Sequence, residues 1–172
     1  MVESTYTVRT FKDYPKEGIN LPDTSSLWKD ATSHRKHIDD LAAALEGVKF
    51  DKIIGLESGG FAVGGALAYK LGKAFIPIRK KGKLPTEKYT TEILDGGKME
   101  TFEIHKDGVD KGEKVIIVDD LLGDGNTTLA ALELAKKLEA EVVAAVYIFE
   151  LTSLKGREAL KDIKVITLKS YE

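Results

Sequence analysis

The sequence predicts an α/β fold: a mainly parallel central sheet flanked by helices, with a mobile β-hairpin flap set into it. Three observations predict this. Short apolar runs alternate with stretches of helical spacing along most of the chain, the order that feeds parallel strands through crossover helices. Val115, Ile116, Ile117 and Val118 form an unbroken apolar run, as expected of a strand covered on both faces. Between Pro85 and Asp107 the texture changes to polar alternation around Asp95, Gly96, Gly97 and Lys98, a hairpin turn signal.

The elements follow in order. His34 to Leu45 is helical by spacing, because Ile38, Leu41, Ala42 and Leu45 recur at three- and four-residue steps, with Ser33 as its cap. Lys52 to Leu56 reads as a short strand, Phe61 to Leu71 as a small-residue helix stopped by Gly72, and Ala74 to Ile78 as the next strand. The flap comes next. The strand Val115 to Val118 then ends on Asp119 and Asp120, and a helix runs through Leu129, Leu132, Ala135 and Leu138. Val142 to Phe149 is another buried strand, and Ile163 to Leu168 closes the sheet.

Composition narrows the function classes. A chain of 172 residues is long enough for one sizeable core and too short for two comfortable domains, so one domain spanning 1–172 is expected. With 42% hydrophobic and 31% charged residues and no apolar run near the ~20 residues that cross a bilayer, no membrane partner is expected. The 26 basic and 28 acidic residues leave a net charge of −2, which gives no field for non-specific nucleic-acid binding. Met1 to Thr10 shows no secretory signal pattern and there is no cysteine, so the cytoplasm is the expected location.

The chemistry concentrates in one stretch, KVIIVDDLLGDGNTT from Lys114 to Thr128. Asp119 and Asp120 stand at the end of a buried strand, where ligands collect in open α/β sheets. Gly123 to Thr128 then offers backbone N–H groups and hydroxyls ahead of a helix, a phosphate cradle. Paired acids beside such a cradle suit a ligand with a vicinal diol and a phosphate, such as phosphoribosyl pyrophosphate (PRPP). Glu57, Ser58, Gly59 and Gly60 make a second strand-to-helix loop able to meet an anion, and Arg79, Lys80, Lys81 and Lys83 follow the next strand with positive charge. His34, His37 and His105 show no metal-ligand or nucleophile-base spacing.

VDDLLGDGNTT resembles the PRPP-binding signature of type I phosphoribosyltransferases, and the adenine phosphoribosyltransferase family is the nearest match. DYPKEGINLP (Asp13 to Pro22), GLESGGFAVGG (Gly55 to Gly65), PIRKKGKLP (Pro77 to Pro85), EIHKD (Glu103 to Asp107) and ELTSLKGREAL (Glu150 to Leu160) resemble family segments in the same order and cover nearly the whole chain. The resemblance implies a single type I phosphoribosyltransferase domain with a small N-terminal hood over 1–30 and the flap over 85–107. It implies transfer of ribose 5-phosphate from PRPP to a purine base, adenine foremost, with release of pyrophosphate, as part of purine salvage. Asp119 and Asp120 would hold the ribose diol; Gly123, Asp124, Gly125, Asn126 and Thr127 the phosphate; Glu57, Ser58, Arg79 and Lys83 the pyrophosphate; and Leu21 the base. Mg²⁺ would arrive on PRPP near Asp119 and Asp120 without a direct ligand set of its own, and the family's habit of pairing implies a homodimer.

Four positions depart from the family pattern. Gly59 stands where an arginine is usual, Leu21 and Pro22 where phenylalanine and arginine are usual, and Asp124 where a threonine is usual. A carboxylate at Asp124 either turns away to cap the following helix or opposes the phosphate, at about 4 kcal/mol for two anions ~4 Å apart near a protein surface. Leu21 covers a purine face without an aromatic's stacking, and Asn20 is either a base-edge partner or an exposed loop residue. The flap's usual acid falls on Gly96 without a gap; sliding by four residues aligns Tyr89, Thr90, Thr91 and Glu92 and makes Glu92 the candidate acid/base. Two alternatives remain open: a related protein that binds PRPP or a nucleotide with little catalysis, and a transferase for a 6-oxopurine.

Overall fold

The computed structural model describes residues 8–95 and 97–172. The chain opens with two short strands, β1 (Thr10–Phe11) and β2 (Leu21–Pro22), paired antiparallel with Phe11 opposite Leu21. Helix α1 (Ser25–Trp28) completes this hood, whose first seven residues lie outside the described residues, and α2 (Ala31–Ala44) follows it. Strand β3 (Lys52–Leu56), helix α3 (Gly59–Leu71) and strand β4 (Ala74–Lys80) form the first crossover unit. The flap strands β5 (Lys88–Asp95) and β6 (Lys98–His105) follow, and Gly96 in their turn lies outside the described residues. Then come β7 (Lys114–Leu122), α4 (Asn126–Lys137), β8 (Glu141–Leu151), α5 (Gly156–Ala159) and β9 (Val165–Tyr171).

The seven long strands form one sheet in the order β5-β6-β4-β3-β7-β8-β9. Neighbours from β4 through β9 run parallel, and the flap adds an antiparallel edge through Arg79 opposite Glu103. Helices cover both faces, as a parallel sheet requires. On one face Ile53, Ile116, Val118, Val146 and Ile148 pack against Val63 and Leu67 of α3 and Ile38 and Leu41 of α2. On the other, Ile54, Leu56, Ile78, Phe102, Ile104 and Ile117 pack against Ala131, Leu134 and Ala135 of α4. Among the described residues no helix is long and apolar enough to cross a membrane.

Three local outcomes correct the sequence reading. Helix α2 begins at Ala31, because the Asp30 carboxylate accepts from the Ser33 backbone N–H at 2.7 Å and supplies the cap assigned to Ser33. Helix α3 begins at Gly59 instead of Phe61, and ends where Gly72 takes a left-handed φ of 63°. Strand β7 does not stop at the acids but continues to Leu122, since β8 offers Tyr147, Phe149 and Glu150 as partners for Asp119, Leu121 and Leu122. The strand-to-helix connections after β3 and β7 and the loop from β4 to the flap therefore gather at the carboxyl ends of these parallel neighbours, where a ligand of an open α/β sheet would sit.

Candidate active site

Asp119 and Asp120 lie between two loops. Asp119 accepts hydrogen bonds from the backbone N–H of Asp120, at 2.9 Å, and of Gly60 at the start of α3. Burial, and then the adjacent charge of Asp120, push the Asp119 carboxyl well above the usual carboxylate range, against the pull of those two N–H donors. A carboxyl raised in this way can both donate and accept hydrogen bonds, as a partner of a diol must. Asp120 turns toward the hood, where Thr24 Oγ1 donates to its Oδ2 at 2.6 Å.

A cavity of about 290 Å³ opens beside Asp119, lined by Gly123, Asp124, Gly125, Thr127, Thr128 and neighbouring leucines. Its floor is fixed from below, because Thr128 Oγ1 and the buried Tyr147 hydroxyl share a 2.6 Å hydrogen bond and burial raises the phenol's pKa, keeping it neutral. Its wall is fixed from the side by α5, where a Cβ on Gly156 would lie 2.3 Å from the Gly123 carbonyl oxygen. Asn126 and Thr127 occupy the first turn of α4, so their N–H groups have no intrahelical acceptor. Asp124 takes one of them: its carboxylate accepts from the Asn126 backbone N–H at 3.0 Å and from Asn126 Nδ2 at 2.9 Å. Asn126 Nδ2 also reaches the flap, donating to the Leu94 carbonyl at 3.4 Å.

The second loop joins β3 to α3 through a cis peptide between Glu57 and Ser58. Glu57 accepts from Arg79 Nε at 3.2 Å and from the Lys80 backbone N–H at 2.6 Å, binding the ends of β3 and β4 together. Arg79 is further held over the Phe61 ring at 5.4 Å. Lys80 pairs with Glu100, whereas among the described residues Lys81 and Lys83 enter no ion pair and lie exposed. Ser58 is exposed.

The profile of the phosphoribosyl transferase domain family matches residues 29–170. Adenine phosphoribosyltransferases from Chelativorans sp. and Trichlorobacter lovleyi are 44% and 40% identical to the chain, over 96% and 99% of its length and 92% and 100% of theirs. The crystal structure of adenine phosphoribosyltransferase from Thermoanaerobacter pseudethanolicus superposes with a TM-score of 0.89 at 42% identity, covering 95% of each chain. The yeast enzyme, solved with adenine and an imino-altritol bisphosphate, gives 0.86 at 38% identity, over 94% of this chain and 93% of its own. The chain belongs to the adenine phosphoribosyltransferase family.

Within this adenine phosphoribosyltransferase scaffold the remaining candidates fall apart in space or stay on its rim. Leu21 is half-buried in β2, opposite the more exposed Phe11, whose ring lies 5.1 Å from the Arg9 guanidinium. Glu92 is exposed on β5, and its carboxylate meets Thr101 Oγ1 at 3.4 Å across the flap. Its neighbours Thr91 and Thr90 point the hairpin at α4: Thr91 Oγ1 donates to Glu133, and Lys137 Nζ donates to the Thr90 carbonyl at 2.6 Å.

Two contributors escaped the sequence reading. Glu103 lies in the family-like segment EIHKD, buried on β6, and the structure shows its work. It accepts from the N–H groups of Gly82 and Leu84 and pairs with Lys88 at 3.3 Å, so it organises the loop that carries Lys81 and Lys83. Burial alone would raise its pKa, but these donors hold it below the ordinary glutamate value. Thr24 left no signal in the sequence, because its partner is far along the chain.

Proposed function

We propose that the chain transfers ribose 5-phosphate from PRPP to adenine, forming AMP and releasing pyrophosphate in purine salvage. The observation that carries this reading is the convergence, in an adenine phosphoribosyltransferase scaffold, of the Asp119–Asp120 pair, the glycine-walled cavity before α4 and the Glu57–Gly60 loop. The cavity takes the 5′-phosphate on the free N–H groups and the Thr127 hydroxyl. Asp119 and Asp120 bind the ribose hydroxyls and face the positive charge that develops on the ring as the C1′–oxygen bond to pyrophosphate breaks. Arg79, steered by Glu57, and Lys83 draw the leaving pyrophosphate, with Ser58 at the loop. Adenine N9 bonds to C1′ beside Leu21, and its proton passes to Glu92 as the flap excludes water.

Among the described residues no three histidine, cysteine, aspartate or glutamate side chains are grouped as a metal cage. Asp119 and Asp120 supply negative charge near which a Mg²⁺ ion carried by PRPP, with water completing its shell, would sit. When bound there, Mg²⁺ supplies charge neutralisation to the pyrophosphate. The reading takes 1–172 as one cytoplasmic domain acting as a homodimer, which sedimentation of the purified chain tests.

One observation favours a second reading, a PRPP- or nucleotide-binding protein with little turnover. The Asp124 carboxylate already engages an N–H of the phosphate cradle. Calorimetry with PRPP and Mg²⁺, followed by adenine, hypoxanthine, guanine and xanthine with pyrophosphate monitored, separates the cases. Release with adenine alone supports the proposal. Release with a 6-oxopurine alone changes the substrate, and binding without release selects the second reading.

A further inference from the structure

Thr24 opens α1, yet its hydroxyl makes no capping hydrogen bond to that helix. The hydroxyl is spent on Asp120, 96 residues along the chain. Thr24 is itself held from the hood side, because Asp23 accepts from the Ser25 N–H at 3.1 Å and the Ser25 hydroxyl at 2.5 Å and is clamped by Arg9 Nε at 2.8 Å. On the far side of the same carboxylate, a Cβ on Gly59 would stand 2.2 Å from Asp120 Oδ1 and 2.3 Å from its Cγ. The carboxylate thus fills the space that any side chain at position 59 would need.

We infer that Thr24 is a positioning residue for the ribose site: its hydroxyl fixes the Asp120 carboxylate over Gly59, occupying Oδ2 and leaving Oδ1 for a ribose hydroxyl. The inference rests on the transferase reading above and adds a coupling to it. An aspartate side chain has two free torsions, and a hydrogen bond from a fixed donor removes the choice of rotamer before the ligand arrives. Gly59 and Thr24 then form one device, the first clearing the space and the second holding Asp120 in it. Hood and ribose site move together through this bond, so displacement of the hood releases Asp120.

The test is calorimetry of the full chain with PRPP and Mg²⁺ for the wild type, Thr24→Val, Thr24→Ser, Gly59→Ala and the double variant Thr24→Val/Gly59→Ala. Thr24→Val should weaken PRPP binding about tenfold, the size expected for losing a hydrogen bond to a charged group, while Thr24→Ser stays within about twofold. Gly59→Ala should weaken it comparably, and the double variant should be no weaker than the worse single, because both act through Asp120. Unaltered melting temperatures separate positioning from folding. Wild-type binding with unchanged affinity in Thr24→Val overturns the role of Thr24 alone, as does strict additivity in the double variant. Absence of PRPP binding in the wild type overturns the transferase reading, and this inference with it.

Discussion

The carboxylate of Asp124 accepts hydrogen bonds from both the backbone N–H of Asn126, at 3.0 Å, and its side-chain amide, at 2.9 Å. The residue that threatened the phosphate, one position outside the Gly125 N-cap of α4, therefore also braces Asn126, the first residue of that helix, and the two roles conflict. A phosphate entering the cavity must compete for the Asn126 N–H and tolerate a nearby anion. Asp124→Ser removes the charge and keeps an oxygen able to accept from the Asn126 N–H. PRPP affinity by calorimetry should rise about tenfold, while thermal stability falls by no more than about 1 kcal/mol. Weaker binding in this variant would show that Asp124 assists the ligand.

Glu103 gives a prediction of a different kind, since it touches no ligand. Its carboxylate gathers the Gly82 and Leu84 N–H groups and the Lys88 ammonium, and the exposed Lys81 and Lys83 ride on that turn. Glu103→Gln keeps the shape and halves the acceptors, costing about 1–3 kcal/mol of stability. Pyrophosphate inhibition should weaken while adenine affinity is unchanged. Its lowered pKa adds a sign: the contribution is present above the ordinary glutamate value of 4.5 and is lost as pH falls through the folded-state value.

Much of this arrangement was legible in the sequence, for physical reasons that differ by residue. Lys52–Leu56 matched its expected bounds because a buried parallel strand leaves an apolar run. Gly72 marked the end of α3 because a left-handed residue favours glycine. The length of β7 was not legible, since the strand runs on through two carboxylates, with Asp119, Leu121 and Leu122 paired to Tyr147, Phe149 and Glu150 of β8. The two-residue strands of the hood carry no period at all, and Thr24–Asp120 joins residues that no local pattern links. Asp124 was legible only as a choice; its carboxylate bonds Asn126, while the N-cap of α4 is Gly125.

His37 sets a pH limit on the fold. It is buried on α2, its Nδ1–H donating to the Ser33 carbonyl at 3.0 Å, with the His34 ring 4.9 Å away and Asp40 one turn on. Burial lowers its pKa from 6.5 to about 4, the His34 charge adds to this, and the Ser33 bond and Asp40 oppose it. A depressed histidine favours the folded state above its unfolded value and withdraws that support on acidification. Stability should therefore decline by roughly 2–3 kcal/mol between pH 6.5 and 4, read as the urea midpoint. His37→Leu should flatten this slope; an unchanged slope would assign the acid loss to another group.

Glu92 decides whether the flap takes part in the chemistry. It stands exposed on β5 with Thr101 as its partner at 3.4 Å, and the strand that carries it is anchored to α4 through Thr91–Glu133 and to the phosphate loop through Leu94–Asn126. A phosphate seated before α4 would compete for the Asn126 contacts, one of which reaches Leu94, two residues from Glu92. If that carboxylate accepts the N9 proton, Glu92→Gln should lower kcat about 10²-fold, within the range of general acid–base catalysis, with PRPP affinity unaltered. A proportional fall in PRPP affinity would instead mark Glu92 as a ligand contact, and an unchanged kcat would leave N9 deprotonation to solvent.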